Sequence, residues 1–418
     1  MKWIIPFTLL QFLITNVFAQ NTSSLPAPVP GAERLNVYVP LLKGKKVAIF
    51  ANQTSLVGNT HLVDTLQKLG IIIKIIFGPE HGFRGTADAG EKVTNATDEK
   101  TGIPVISLFG SKRRPSAEDL KDIDIMVFDI QDVGVRFYTF ISSLEEYMEA
   151  ALENSKPLLI LDRPNPNGFY VDGPVLETKY KSFVGMQPVP IVYGMTIGEY
   201  AFMIAGEKWL SEKANKKYDY YRTAQNSADT AFHFLVIKCL NYSHQSKYIL
   251  PVRPSPNLPS VQSIYLYPST CFFEGTVLSE GRGTNVPFQV FGHPSLPNSL
   301  YSFTPQPNEG AKNSKHYGKV CYGWNLSGRP EEVLQKVNNQ IQLKWLLEAY
   351  RLFPARDSFF IVAKSGKPED YFFNKLAGNA TLMQQIKEGK TEKEIRASWE
   401  PTLTNFKNIR KKYLMYAD

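Results

Sequence analysis

Ile71-Ile72-Ile73-Lys74-Ile75-Ile76-Phe77 narrows the fold more than any other stretch of the chain. An apolar, β-branched run of this kind reads as a buried strand. It ends in Gly78-Pro79-Glu80-His81-Gly82-Phe83-Arg84-Gly85. Three glycines and a proline turn the backbone sharply and leave little side chain to cover what lies between them. Between them stand a carboxylate, an imidazole and a guanidinium. Polar groups at the carboxyl end of a buried strand are where open α/β sheets place ligands. The plainer alternative is a tight turn in which Glu80 and Arg84 pair with each other.

The same pattern recurs along the chain. Lys46–Ala51 reads as a strand ending in Asn52-Gln53-Thr54, and His61–Leu69 has helical spacing that stops at Gly70. Short strands are predicted at Pro104–Leu108, Asp124–Phe128, Leu158–Leu161 and Phe234–Leu240, with helices at Ser142–Glu153 and Thr196–Asn215. The second helix opens on the capping box Thr196-Ile197-Gly198-Glu199, and the polar residues from Asn215 to Asp229 read as a loop. Strands alternating with helices imply an α/β fold with a mainly parallel, doubly wound sheet. Pro251–Pro259 is proline-rich and marks a domain junction, dividing 33–250 from 251–418. Beyond it lie a second glycine-framed loop, Phe273–Thr284, a long amphipathic helix at Glu331–Phe353, and one or two closing helices in Thr391–Tyr413.

Composition sets the setting. Of 418 residues, 43% are hydrophobic, enough for a large core or two packed domains. Met1-Lys2 is followed by an uncharged stretch to Phe18, and Val17-Phe18-Ala19 precedes a small-residue cleavage position. Residues 1–19 therefore read as a signal peptide, too short to span a membrane, and 20–32 as a flexible leader. An exported protein, periplasmic or extracellular, is expected. Cys239, Cys271 and Cys321 are too few and too widely spaced for a disulfide scaffold or zinc cluster. The net charge of +8 comes from scattered basic pairs, which argues against nucleic acid. It suits approach to an anionic polymer such as a cell wall.

Asn52, Glu80, Asp129, Asp132 and Asp162 all follow predicted strands, so in a parallel sheet their loops line one rim. Two carboxylates flanking a bond are the minimum machinery for glycoside hydrolysis. Glu80, Asp129, Asp132, Asp162 and Glu280 are the candidates, with Glu80 foremost because His81 and Arg84 flank it. Arg84, Arg136, Arg163 and Arg282 are candidates for holding an anionic group, or else partners of neighbouring carboxylates. Phe83, Phe137, Tyr138, Tyr193 and Phe288 are sugar-stacking or core aromatics. No dinucleotide fingerprint or phosphate loop is present, so no cofactor is expected. A metal site built on His81 and nearby Asp residues is a chemical rival, though there is no His-x-x-x-His pair among six histidines. A serine hydrolase lacks its Gly-x-Ser-x-Gly turn.

Phe77–Gly85, Asp129–Thr139, Asp162–Pro166, Tyr193–Glu199 and Glu274–Phe288 together resemble the NamZ-type exo-β-N-acetylmuramidases, once catalogued as a domain of unknown function. The resemblance runs from Val47 past Cys321. It implies a Rossmann-like N-terminal domain, a smaller C-terminal α/β domain, a cleft between them, and release of N-acetylmuramic acid from non-reducing ends of peptidoglycan fragments. It also implies that Glu80 is catalytic. The expectation is Glu80 as general acid with Glu280 or Asp132 as partner. Asn52, His81, Arg84, Asp129, Arg136, Tyr138, Asp162, Arg163, Asn165, Tyr193 and Arg282 are expected to bind the substrate. A wall-glycan-binding protein without catalysis and a serine-type esterase or β-lactamase-like hydrolase are the rival readings.

Overall fold

The computed structural model describes residues 26–80, 82–84, 95–224 and 233–418. In chain order the strands are β1 (Lys46–Ala51), β2 (Leu56–Val57), β3 (Thr60–His61), β4 (Ile72–Gly78), β5 (Ala96–Thr97), β6 (Pro104–Ser107), β7 (Ile125–Asp129), β8 (Leu158–Leu161), β9 (Phe234–Ile237), β10 (Val290–His293), β11 (Tyr301–Phe303) and β12 (Cys321–Asn325). Seven of them form one sheet in the order β5-β6-β4-β1-β7-β8-β9. All its pairings are parallel except that of β5 with β6. β1 lies at its middle; the chain winds outward to β4 and β6, then returns to build β7, β8 and β9 on the other side.

The register sets the height of the rim. Phe50 of β1 lies level with Phe77 of β4 and Phe128 of β7, so three phenylalanines form one row just below the strand ends. Tyr147, from the helix Phe140–Glu153, packs on that row with ring centroids 5.3 Å from Phe50 and 5.9 Å from Phe77. The opposite face of the sheet buries Val47, Ile49, Ile76, Val127 and Leu159 against Tyr38, Leu42, Leu62 and Leu66. Both faces are dry along β1, β7 and β8, which is why those strands read as unbroken apolar runs; β4, expected to be buried throughout, is buried only over its last three residues, with Ile72 48% exposed at its start.

The second part of the chain carries a small antiparallel sheet, β10-β12-β11, surrounded by helices. Phe273, Phe291 and Trp324 stack through its core at 4.2 and 4.9 Å. The last helix, Glu392–Arg410, carries the terminus back to the first part, where Tyr416 bonds to Asp162. Cys239, Cys271 and Cys321 are buried and unbridged.

Four expectations change. The helix expected at Thr196–Asn215 is two, Ile197–Gly206 and Glu212–Ala224, broken where Lys208 turns left-handed (φ 59°). The loop expected from Asn215 is thus helical as far as Ala224. The helix expected at Glu331–Phe353 is also two, Pro330–Val337 and Leu343–Leu352, because Asn338 and Asn339 are left-handed at φ 49° and 52°. Residues 26–32 are docked and not a loose leader: Val29 pairs with Leu240, and the Gly31 amide donates to Asp162 O at 2.7 Å. Residues 1–25, with the expected signal peptide, lie outside the described residues. Among the described residues no helix is long and apolar enough to cross a membrane.

Candidate active site

The outward winding from β1 makes a topological switch point between β1 and β7, where open α/β sheets hold ligands. Asn52 follows β1, Glu80 follows β4, and Asp129 and Asp132 close β7 and its loop. The loops after β1 and β7 are laced together. Asn52 Oδ1 accepts from Thr54 N at 2.9 Å and Thr54 Oγ1 at 2.6 Å, and Thr54 Oγ1 accepts from Gln131 N at 3.0 Å. Ser55 Oγ donates to Asp129 O.

Asp132 is the carboxyl that this lacing presents. Gly134, at φ +75°, turns the chain back; a Cβ there would meet Asn165 Oδ1 at 2.1 Å, so only glycine fits. The turn aims Gly134 N at Asp132 Oδ2 (2.6 Å), which also accepts from the Tyr193 hydroxyl. Oδ1 is buried with no hydrogen-bond partner among the described residues. Burial pushes the Asp132 carboxyl up to about 6, with the bonds from Tyr193 and Gly134 limiting the rise. Glu80 is half-buried, and it shares this region with Asp132. Burial, then the charges of Asp132 and Glu80, hold the Tyr138 hydroxyl well above its ordinary range. Tyr138 Oη donates to Pro254 O at 2.9 Å, so the proline-rich junction closes over the same place.

Other expected residues serve the scaffold. Asp129 and Arg163 form a bidentate pair at 2.6 and 2.8 Å, both buried, and Arg163 also donates to Leu56 O at 3.0 Å. Burial opposes the Arg163 cation, but Asp129 outweighs it and keeps its pKa above the ordinary value. Arg136 donates to the carbonyls of Pro174, Val189 and Leu376 at 2.7–2.9 Å, and burial lowers its pKa to about 9. It ties the two parts of the chain together and is not open to a substrate anion. Arg84 leans away to Asp98, donating at 3.0 and 2.8 Å. Asp162 accepts from Gly198 N at 2.9 Å and Tyr416 Oη at 2.6 Å, capping one helix and holding the chain end. Asn165 braces the Asp132 turn, with Nδ2 on Met195 O at 2.8 Å. His81 lies outside the described residues.

Glu280 is buried between Arg282 Nε at 3.3 Å and Lys315 Nζ at 3.0 Å. Burial favours its neutral form, yet Lys315 and Arg282 prevail and hold its pKa below the ordinary carboxylate value. A carboxylate so clamped stays ionised, and it cannot donate a proton near neutrality. Arg282 is itself shared with Glu274 at 2.6 Å and lies 5.2 Å from the Phe288 ring centroid.

The sequence alone did not single out Gln53, Gln131 or Asn167. Gln131 Nε2 donates to Asp132 O at 2.8 Å and Pro164 O at 2.7 Å. Gln53 Nε2 donates to Pro254 O at 3.0 Å. Together with Asn52 Nδ2, the side-chain oxygens Gln53 Oε1, Gln131 Oε1, Asp132 Oδ1 and Asn167 Oδ1 are buried without partners among the described residues. Buried polar atoms normally find partners, so these five, on the loops after β1, β7 and β8, are the polar groups of the rim that the described residues leave unsatisfied. The available signal was their position, immediately beside residues already chosen at strand ends.

The family model described as exo-beta-N-acetylmuramidase NamZ, N-terminal, matches residues 47–262, and its C-terminal counterpart matches residues 265–416. The peptidoglycan beta-N-acetylmuramidase NamZ of Bacillus subtilis (strain 168) is 38% identical over 402 residues, covering 91% of this chain and 89% of that protein. Two crystal structures of DUF1343 family proteins from Bacteroides fragilis NCTC 9343 share the fold. One aligns with a TM-score of 0.80 at 45% identity, covering 94% of this chain and 99% of that one. The other aligns with a TM-score of 0.73 at 28% identity, covering 93% and 99%.

Proposed function

The chain belongs to the exo-beta-N-acetylmuramidase NamZ family and is a peptidoglycan glycosidase, and from that premise we propose that it releases N-acetylmuramic acid from the non-reducing ends of peptidoglycan fragments. The observation that carries the mechanism is the state of Asp132. Its Oδ2 already accepts two hydrogen bonds, so Oδ1, the oxygen without a partner among the described residues, is the one that takes the proton when the carboxyl is neutral. A carboxyl with its pKa near 6 is matched to proton donation at neutral pH. Asp132 is therefore assigned as the general acid toward the leaving sugar oxygen. Glu80, across β1 from it, takes the role of base or nucleophile. This exchanges the roles expected from sequence for Glu80 and Asp132, and Glu280, held ionised by Lys315 and Arg282, is not assigned the acid role.

Asn52 Nδ2 is a buried donor without a partner and is assigned to the polar substituents of the bound sugar. The reading of residues 1–19 as a signal peptide puts the enzyme outside the cytoplasm, where its substrate is found.

The test is incubation with a β-linked N-acetylmuramyl–N-acetylglucosamine disaccharide, with free sugars followed by mass spectrometry. Release of both monosaccharides supports the proposal. Binding without cleavage would favour a wall-glycan-binding protein instead.

A further inference from the structure

We propose that the C-terminal tail, Arg410 to Asp418, is a positioning element for Asp132, acting through the turn at Tyr193-Gly194. The proposal rests on the reading of Asp132 as a catalytic residue. Arg410 is buried at the end of the last helix and donates to Gly194 O twice, from Nε at 2.9 Å and Nη2 at 2.6 Å. Asp418 holds the same guanidinium from the other side, at 2.9 and 2.7 Å. The carbonyl that receives Arg410 therefore belongs to the residue directly after Tyr193, whose hydroxyl meets Asp132.

The turn leaves little room for any other arrangement. Gly194 is at φ +61°, and a Cβ there would lie 2.6 Å from Val171 Cγ2 and 2.9 Å from Tyr170 O. On the side toward the site, Val192 pairs with Val135, Arg136 N donates to Ile191 O at 2.8 Å, and Asn165 Nδ2 holds Met195 O. Residues 191–195 are thus clasped between the Asp132 loop and the tail. A shift of Gly194 O is passed to the Tyr193 ring and from there to Asp132.

The tail has a second anchor of buried polar groups. Glu199 Oε1 accepts from Met415 N at 2.7 Å and Tyr416 N at 3.3 Å, while its Oε2 contacts His244 Nε2 at 2.9 Å. His244 N donates to Ala417 O at 2.8 Å, and Tyr416 Oη donates to Asp162 at 2.6 Å. Here buried Glu199, Asp162, His244 and Arg410 are all engaged in fixing the last few residues, and the tie leads to one hydroxyl at the site.

The experiment measures kcat and KM against pH for the full-length wild type, Arg410→Gln and Asp418→Asn, each also combined with Tyr193→Phe. Arg410→Gln is expected to lower kcat about tenfold with KM within about twofold, and to displace the pH limb that reports Asp132. In the Tyr193→Phe background the same change should cost less than about twofold, because both substitutions break one chain of contacts. A lowered Tm with kcat and pH limb unmoved would overturn the proposal, as would losses that multiply fully in the double variant. Asp418→Asn, at a half-exposed position, reads the same coupling should Arg410→Gln not fold; a kcat loss that is smaller but equally non-additive is expected. Absence of wild-type turnover on any muramide would overturn the glycosidase reading itself.

Discussion

Tyr193 donates its hydroxyl hydrogen to Asp132 Oδ2 from 61 residues further along the chain, while Oδ1 of the same carboxyl has no partner among the described residues. That asymmetry separates the two oxygens into one that is held and one that can exchange a proton. An acid matters most for a poor leaving group. Asp132→Asn should therefore lower turnover of a muramyl disaccharide by about 10²–10⁴, but cost a nitrophenyl muramide less than about tenfold. Glu80→Gln should abolish both. Equal losses on the two substrates in Asp132→Asn would return Asp132 to the base role.

Stability should report the same carboxyl. Asp132 has a pKa of about 6 in the native state against 3.8 for the ordinary group. The native protein binds the proton more tightly, so stability falls as pH rises from about 4 through 6. The total for this shift is on the order of 3 kcal/mol. Asp132→Asn removes the penalty. In urea unfolding it should be more stable than wild type at pH 8 by on the order of 2–3 kcal/mol, and no more stable at pH 4. Asp162, also near 6, is present in both proteins and cancels. A variant destabilised equally at both pH values would contradict the assignment.

The Asp129–Arg163 pair supports the site from below. With both side chains buried, removing one leaves the other charge without its partner. Asp129→Asn should destabilise by about 3–5 kcal/mol in urea unfolding at pH 7. It should also loosen the loop after β1, since Arg163 holds Leu56 O as well. A loss below about 1 kcal/mol would mean that the pair is peripheral to the fold.

What could be read from sequence followed the local rules. Runs such as Lys46–Ala51 and Leu158–Leu161 announce strands because both faces of the sheet are dry along them, and the residues after them had to share a rim. Sequence left the arginines open between anion holders and carboxylate partners, because a guanidinium's partner is set by tertiary structure; Arg84, Arg163 and Arg282 pair with carboxylates. Arg136 finds carbonyls at Pro174, Val189 and Leu376, which no spacing rule connects to it. Glu280 sat in a convincing Gly-framed loop, but Lys315, 35 residues on, turns it into a fixed anion. The breaks at Lys208 and Asn338 were hidden by helical composition on either side. Arg410 looked like any basic residue in the last turn of a helix, and only the fold brings Gly194 against it.

The most direct test is nitrophenol release from the β-N-acetylmuramide beside the β-N-acetylglucosaminide, with Glu80→Gln as control. Turnover of the muramide alone, lost in Glu80→Gln, is the predicted result. Turnover of the muramide that survives Glu80→Gln undiminished, or of the glucosaminide alone, would contradict the account.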